Sequence, residues 1–235
     1  MSAMPGTQPV AIVTGASRGL GLALARALAM RGWRLVIDAR GADALERARA
    51  DLAVHTDVAA IAGDVADPRH REAVVAAAGD RVDLLVNNAS LLGPSPQPPL
   101  GRYPLDVLER VYAVNVIAPL ALAQLAIPRM DEGAMILNVT SDAAVEIYEG
   151  WGGYGSSKAA LEQLTRVLAV EHPQLRIHAV DPGDMRTQMH QEAFPCEDIS
   201  DRPPPEESVP GLLALIEGDR ASGRFVARDV APVAT

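Results

Sequence analysis

The sequence contains little cysteine, and its potential metal ligands show no metal-site spacing. The single cysteine, Cys196, excludes an internal disulfide and is typical of a reducing compartment, so we expect a cytoplasmic protein. Five histidines form no His-Glu-x-x-His pattern, and one cysteine cannot build a zinc site. We therefore predict no structural or catalytic metal. A Gly-x-Ser-x-Gly turn is also missing, which argues against a serine hydrolase.

Positive charge and long apolar runs are scarce as well. There are 21 Lys and Arg residues against 30 Asp and Glu, a net charge of −9, so we expect no nucleic-acid partner. The longest apolar candidate for a membrane span, residues 111–127, is interrupted by Asn115, Pro119 and Gln124, and we expect no membrane association. Residues 1–8 lack the pattern of a secretory signal and are predicted to be a flexible lead.

The remaining residues, 9–235, alternate short apolar runs with helix-like segments and are predicted to form one domain. The predicted strands are residues 10–14, 34–38, 58–62, 84–87, 134–139, 176–180 and 224–227. Successive apolar residues in these runs indicate strands covered on both faces. The pattern predicts an α/β fold, a doubly wound parallel sheet of about seven strands (Rossmann fold) with helices on both faces.

Local signals mark helix starts and loops. Asp67 and Pro68 are typical of an N-cap and a first helical position. Two proline-rich segments, residues 93–104 and 201–210, are predicted to be surface loops, because proline is poorly tolerated in helix interiors and central strands.

A glycine-rich turn follows the first predicted strand. The glycine loop, TGASRGLG at residues 14–21, carries glycines at 15, 19 and 21 and leads into a helix. Strand, glycine turn and helix in this order aim backbone N–H groups at a phosphate, which predicts a dinucleotide site. The alternative is a tight turn that only packs closely against its helix.

A second pattern places Tyr154 and Lys158 four residues apart at the start of a predicted helix, on one face. Alone, the pair has an ordinary explanation as a helix start with an exposed lysine. A tyrosine hydroxyl has a pKa near 10 and acts as an acid or base at neutral pH only if a nearby positive charge stabilises its anion.

Several motifs in order resemble the tyrosine-dependent short-chain dehydrogenases/reductases over roughly residues 10–228. They are TGASRGLG, GDV (63–65), NNAS (87–90), Asn115 in YAVNVIAP, Ser141 in NVTSDAA, YGSSK (154–158) and DPGDMRT (181–187). The resemblance implies that Tyr154 is the general acid or base, that Lys158 lowers its pKa and that Ser141 polarises the substrate oxygen. It also implies that Asn115 bends its helix and holds a water linking the lysine to solvent. Thr140 is the competing hydroxyl, and strand alternation turns it away.

The resemblance further implies a nicotinamide cofactor, with NADP(H) favoured over NAD(H). Ala39 stands where NAD-dependent members carry Asp, while Arg40 and Arg18 suit a 2′-phosphate. Two alternatives stay open: both arginines are solvated surface charges, or a register slip of one residue brings Asp38 into play.

The expected cofactor residues come from every motif. They are Gly15, Ser17, Arg18, Gly19, Leu20, Gly21, Arg40, Asp64, Val65, Asn88, Ala89, Tyr154, Lys158, Pro182, Gly183 and Thr187. Asn87 is expected to be structural. Ser90 departs from the family, which usually has glycine there, without threatening cofactor binding.

The substrate side is less specified. A variable lid, about residues 184–210, is expected to cover a partly aromatic pocket. The candidate substrate residues are Leu91, Trp151, Met185, Met189 and Phe194. Glu146 and Glu149 could favour a cationic group, or they are solvated loop charges.

The resulting hypothesis is an NADPH-dependent carbonyl reductase or alcohol dehydrogenase acting on a ketone, aldehyde or diketone. The alternatives are a redox-inactive NADP-binding sensor, or an epimerase or dehydratase on the same fold. A homodimer or homotetramer, paired through the helices that contain Asn115 and Tyr154, is expected from the resemblance.

Overall fold

Seven short apolar segments form one parallel sheet in the computed structural model, which describes residues 8–230. The strands are β1 (Val10–Val13), β2 (Arg34–Ala39), β3 (Val58–Ala62), β4 (Leu84–Asn87), β5 (Met135–Val139), β6 (Arg176–Asp181) and β7 (Gly223–Val226). Their order is β3-β2-β1-β4-β5-β6-β7, which confirms the predicted doubly wound sheet. Most of the predicted flexible lead, residues 1–7, lies outside the described residues.

Helices cover both faces of this sheet. They are α1 (Gly19–Ala29), α2 (Ala42–Leu52), α3 (Pro68–Ala77), α4 (Leu105–Tyr112), α5 (Ala118–Ala126), α6 (Gly152–Glu171), α7 (Gln188–Ala193) and α8 (Val209–Glu217). Helices α1, α2 and α8 pack in one core layer, and α3, α5 and α6 pack in the other.

The central strands supply both layers by alternation. Ala11 and Val13 of β1 face the layer of α1 and α8, whereas Val10 and Ile12 face the opposite layer. Each fully buried Leu or Ile contributes about 1.5–3 kcal/mol relative to an exposed one. The apolar runs without polar alternation are therefore a direct consequence of burial on two sides.

The start of α3 is as predicted, and the second proline-rich segment is not. The Asp67 side chain accepts a hydrogen bond from Arg69 N at 2.9 Å, with Pro68 at the first helical position. Residues 201–210 do not form only a surface loop, because a 3-10 turn spans Pro205–Ser208 and α8 begins at Val209. Pro210 lies in the first turn of α8, where a missing N–H group costs no hydrogen bond.

One continuous helical segment, Leu105–Arg129, is long and apolar enough to cross a membrane by length and composition alone. It comprises α4, a π-helical turn (Ala113–Ile117), α5 and a short 3-10 turn. Half of its most apolar window is buried inside the fold, and Leu122, Ala123 and Ala126 pack in the core. Packing against the sheet accounts for its apolar face.

Candidate active site

The strand order reverses between β1 and β4, and a crevice opens there at the carboxyl ends of the strands. The crevice contains a cavity of about 940 Å³. Its wall runs from the glycine loop, past Arg40 and Asp64, to Ser141 and Tyr154. A single cavity therefore brings together the predicted dinucleotide site and the predicted catalytic residues.

Hydrogen bonds to neighbouring strands hold the start of the glycine loop. Gly15 N donates to Asp38 Oδ1 at 2.7 Å, and Asn88 Nδ2 donates to Thr14 O at 2.8 Å. Thr14 Oγ1 in turn accepts from the backbone N–H groups of Asn88 and Ala89, each at 2.9 Å. The loop is thus shaped by the protein itself.

The glycines of this loop have different reasons. Gly15 has a φ of +67°, and a Cβ there would lie 2.9 Å from Ala89 Cα. Gly19, with a φ of +55°, faces the cavity at the start of α1. Gly21, predicted to bind the cofactor, does not lie on the cavity wall: a Cβ on it would meet Asn88 Nδ2 at 2.5 Å. Its role is close packing within the described fold.

The structure separates the two candidate cofactor selectors on β2. Asp38 is buried and uses both carboxylate oxygens, accepting from Gly15 N and contacting His70 Nε2 at 2.9 Å. Ala39 lines the cavity, and the exposed Arg40 lies next to it. The register slip that would offer Asp38 to a ribose is therefore wrong. Arg18 is also exposed, and its guanidinium donates to Gln188 of α7.

Asp64 forms the far wall of the same end. Its side chain accepts from Ala66 N at 2.9 Å and pairs with Arg110. Burial acts to raise the pKa of Asp64, but the Ala66 N–H and the Arg110 and Arg40 guanidinium groups outweigh it, so the pKa is lowered. A carboxylate here lies beside two cationic side chains.

Tyr154 and Lys158 lie together at the other end, on the first two turns of α6. Tyr154 is 8% exposed and Lys158 only 2%, and Lys158 Nζ stands 5.5 Å from the centroid of the tyrosine ring. Lys158 Nζ donates to Val139 O at 2.8 Å. Burial lowers the pKa of Lys158 to about 8.

The pKa of Tyr154 is raised, chiefly by burial. Hydrogen bonds with Ser90 and Ser141 oppose that rise, whereas the carboxylates of Asp181 and Asp142 add to it. Within the protein alone, the side chains that stabilise the phenolate are two serine hydroxyls.

Ser141 follows β5 and reaches the Tyr154 hydroxyl from one side. Its own hydroxyl donates to Asp142 Oδ1 at 2.8 Å, and Tyr148 OH donates to the other oxygen of Asp142 at 2.9 Å. The sequence reading overlooked Asp142, although an acidic residue directly after the predicted serine was visible. This carboxylate sets the resting direction of the Ser141 proton.

Thr140 turns away from this group, as strand alternation predicts. Its hydroxyl donates to Glu162 Oε1 at 2.8 Å, and Arg224 Nε donates to the same oxygen at 2.9 Å. Arg224 also lies 3.5 Å from Asp181 Oδ2 and donates to Ser141 O at 3.4 Å. This buried network ties the ends of β5, β6 and β7 to α6.

Asn115 lies behind the cavity wall, within the π-helical turn. Its side chain accepts from Leu91 N at 2.8 Å and donates to Leu91 O at 2.9 Å and to Ser157 Oγ at 3.0 Å. A π turn is a local widening of the helix and is frequent at functional sites. The side chain thus joins the β4 loop to α6, and the predicted water relay stays a prediction.

Aromatic side chains border the substrate end. The Trp151 ring contacts those of Tyr148, Tyr154 and Phe194 at 6.2, 5.9 and 5.8 Å between centroids. Phe194 was expected to line the pocket, but it lies behind Trp151 and beside His190 instead. The other candidate substrate residues are on the wall: Leu91, Trp151, Met185 and Met189.

The other candidate cofactor residues lie on the cavity wall too. They are Gly15, Ser17, Arg18, Gly19, Leu20, Arg40, Asp64, Val65, Asn88, Ala89, Tyr154, Lys158, Pro182, Gly183 and Thr187. Across residues 8–230, no group of three or more His, Cys, Asp or Glu side chains is arranged to hold a metal ion.

These features define a dinucleotide-binding oxidoreductase of the α/β class, and comparison with known proteins narrows it. A family model described as short chain dehydrogenase matches residues 9–198, and the chain belongs to this family. The 2-(R)-hydroxypropyl-CoM dehydrogenase of Xanthobacter autotrophicus is 36% identical over 191 residues, covering 77% of this chain and 76% of that protein.

Solved structures agree over nearly the whole chain. A short-chain dehydrogenase from Pseudomonas syringae has a TM-score of 0.88 and 30% identity, covering 96% of this chain and 98% of that one. A short-chain dehydrogenase from Shigella flexneri 2a, complexed with NADP, has a TM-score of 0.86 and 27% identity, covering 94% and 97%. The seven-stranded architecture is therefore shared with nicotinamide-binding relatives.

Proposed function

We propose that this protein is an NADPH-dependent carbonyl reductase, reversible as an alcohol dehydrogenase, with Tyr154 as general acid. The observation that carries the proposal is that Ser141, Tyr154 and Lys158 share one cavity with the glycine loop. Bound NADPH would supply the hydride to the carbonyl carbon, and its oxidised form would accept it in the reverse direction.

Tyr154 gives its hydroxyl proton to the carbonyl oxygen as that oxygen gains negative charge. Ser141 turns its proton from Asp142 to the same oxygen and polarises the carbonyl group. Asp142 keeps its bonds from Ala143 N and Tyr148 OH during this turn. In alcohol oxidation the proton moves back to the phenolate form of Tyr154.

Lys158 supports the phenolate through its charge. With a pKa of about 8 it is mostly protonated at neutral pH. Its ammonium group faces the tyrosine ring in a site that excludes most solvent, where screening is weak. The fixed bond to Val139 O orients this charge.

The residues around the loop fit a nicotinamide dinucleotide phosphate. Backbone N–H groups at the start of α1 suit a pyrophosphate. Arg40 and Arg18 suit a 2′-phosphate, and the two oxygens of Asp38 are engaged inside the fold. The NADP complex of the Shigella relative supports the same preference. Michaelis constants for NADPH and NADH test it, and a clear preference for NADH would contradict it.

The decisive experiment measures NADPH oxidation against a panel of ketones, aldehydes, diketones and acyl thioesters. We expect turnover of at least one class. Tyr154→Phe is expected to lower kcat by about 10²–10⁴ and to leave the NADPH Kd within about twofold, because a general acid typically contributes that factor. A redox-inactive sensor or an epimerase would bind NADPH without net consumption by any ketone. Full activity of Tyr154→Phe would refute the assigned role.

The proposal includes a homo-oligomer paired through the α4–α5 segment and α6. Large apolar side chains on these helices are exposed, with Leu105 at 72%, Ile117 at 53% and Val170 at 81%. Sedimentation of the wild type and of Ile117→Glu tests this, and an unchanged monomer in both would contradict it. The cytoplasmic location stays a prediction.

A further inference from the structure

Ser90 stands where the family usually has glycine, in the loop after β4. The sequence treats it as a harmless departure. The structure places it half-buried on the cavity wall, between Asn115 and Tyr154.

The Ser90 hydroxyl has two partners. Its Oγ donates to Asn115 Oδ1 at 3.2 Å, and the same side chain forms a hydrogen bond with the hydroxyl of Tyr154. Asn115 is itself held by Leu91 and Ser157, so its position is fixed. Ser90 therefore connects the reacting hydroxyl to a buried, immobile amide.

We infer that Ser90 is a positioning residue for the proposed reaction, whose hydroxyl turns between Asn115 and Tyr154 as the tyrosine loses and regains its proton. The inference rests on the proposed function, because it assigns a task to Tyr154.

The hydrogen-bond balance closes in both states. A hydroxyl donates one hydrogen bond and accepts others, and it rotates without heavy-atom movement. While Tyr154 is neutral, its O–H donates to Ser90 Oγ, and the Ser90 proton points to Asn115 Oδ1. After the tyrosine proton has passed to the carbonyl oxygen, the Ser90 proton turns to the phenolate. Asn115 Oδ1 then keeps the bond from Leu91 N at 2.8 Å, so no buried acceptor is orphaned.

Ser90 and Ser141 act from two sides on the same oxygen. Both bonds lower the pKa of Tyr154 against the burial that raises it. A glycine at position 90 leaves Ser141 alone in this task. Hydrogen bonds to charged groups are worth more than those between neutral groups, so the loss falls mainly on the phenolate state.

The test is the pH profile of kcat/KM for alcohol oxidation, which needs the phenolate. Ser90→Ala and Ser90→Gly are expected to move the rising limb upward by about one pH unit, the shift that corresponds to one lost charge-assisted bond. Ser90→Thr, which keeps the hydroxyl, is expected to restore the limb. Ser156→Ala is the matched control, since Ser156 is exposed on α6 and bonds only to Gly153 O at 3.2 Å among the described residues. The NADPH Kd is expected to stay within about twofold in all four variants.

A rising limb unmoved in Ser90→Ala and Ser90→Gly would overturn the inference, whatever the rate. If no alcohol or carbonyl is turned over, the proposed function fails first, and a second readout decides on Ser90. NMR of protein labelled at the tyrosine ring carbon that bears oxygen, with Tyr154 assigned through Tyr154→Phe, reports hydrogen bonding at that hydroxyl. A shifted Tyr154 signal in Ser90→Ala but not in Ser156→Ala supports the contact, and an unshifted signal overturns it.

Discussion

The glycine loop and the lid border the same cavity, but they are held very differently. The glycine loop is tied to β2 and to the β4 loop through buried Asp38 and through Thr14 and Asn88. In the lid, α7 is half-buried or exposed throughout, and its side-chain bonds are largely internal, such as Gln188 to Glu192 at 2.8 Å.

Few contacts join the lid to the body. Arg18 donates to Gln188, and Ser95 Oγ donates to Glu192 O at 2.6 Å. The cofactor end is therefore shaped before any ligand arrives, and the substrate end is covered by a weakly attached segment. Weakly attached segments open at low free-energy cost, which suits substrate entry.

The largest expected effect comes from breaking the shaped end. Gly15→Ala places a Cβ 2.9 Å from Ala89 Cα, and we expect the NADPH Kd to rise by about 100-fold or more, which is about 2.7 kcal/mol. Gly32→Ala is the matched control, because Gly32 also has a positive φ, +78°, but has open space around it. Both variants lose about 1 kcal/mol of stability, and only the first loses binding. Equal Kd values by fluorescence titration would contradict this.

A smaller effect is expected from Arg40→Ala at the same end. Loss of one charge-assisted bond to the 2′-phosphate raises the NADPH KM by about 10-fold or more and leaves the NADH KM unchanged. Arg47→Ala, an exposed arginine on α2, serves as the control. Parallel changes for both cofactors would show that Arg40 is only a surface charge.

Lys158 lies between the two ends and predicts a pH-dependent stability. Its pKa falls from 10.5 to about 8 on folding, so between those pH values the unfolded chain holds more protons than the folded one. The free energy of unfolding contributed by this group therefore rises with pH through that window.

We expect Lys158→Met to be more stable than wild type at pH 7, by on the order of 1–3 kcal/mol, while losing activity. Each kcal/mol corresponds to about 2–4 °C in Tm. The advantage shrinks as the pH approaches about 10. Urea unfolding of both proteins at the two pH values measures it, and a constant difference would contradict the burial cost.

The smallest effect is expected in the lid. Gln188→Ala removes the contact with Arg18 and is expected to change the unfolding free energy by less than about 0.5 kcal/mol, the usual range for surface positions. The kcat/KM stays within about twofold. A larger loss in either quantity would show that the lid is firmly attached after all.

The sequence predicts the sheet well because burial on both faces writes itself into composition. Every strand boundary lies within one residue of its predicted position, as Val58–Ala62 and Leu84–Asn87 illustrate. The glycine spacing likewise predicts the turn, since a positive φ at Gly15 excludes most side chains.

What the sequence could not supply is the direction of individual side chains. Whether Asp38 faces a ribose or the loop backbone depends on a one-residue register, and only the fold shows both of its oxygens engaged. Gly21 and Phe194 match family motifs or composition but pack behind the wall. The contacts of Ser90 and Asp142 join segments far apart in sequence, which no local pattern encodes.

Of the 21 Lys and Arg residues in the chain, Lys158 is the only lysine, and it is 2% exposed. Amine-directed reagents therefore find one side-chain target in the whole protein, and they reach it only when the cavity opens. The labelling rate of that single amine would report directly on how often the site is open. For the same reason, the folded surface offers no lysine to enzymes that attach acetyl groups or ubiquitin.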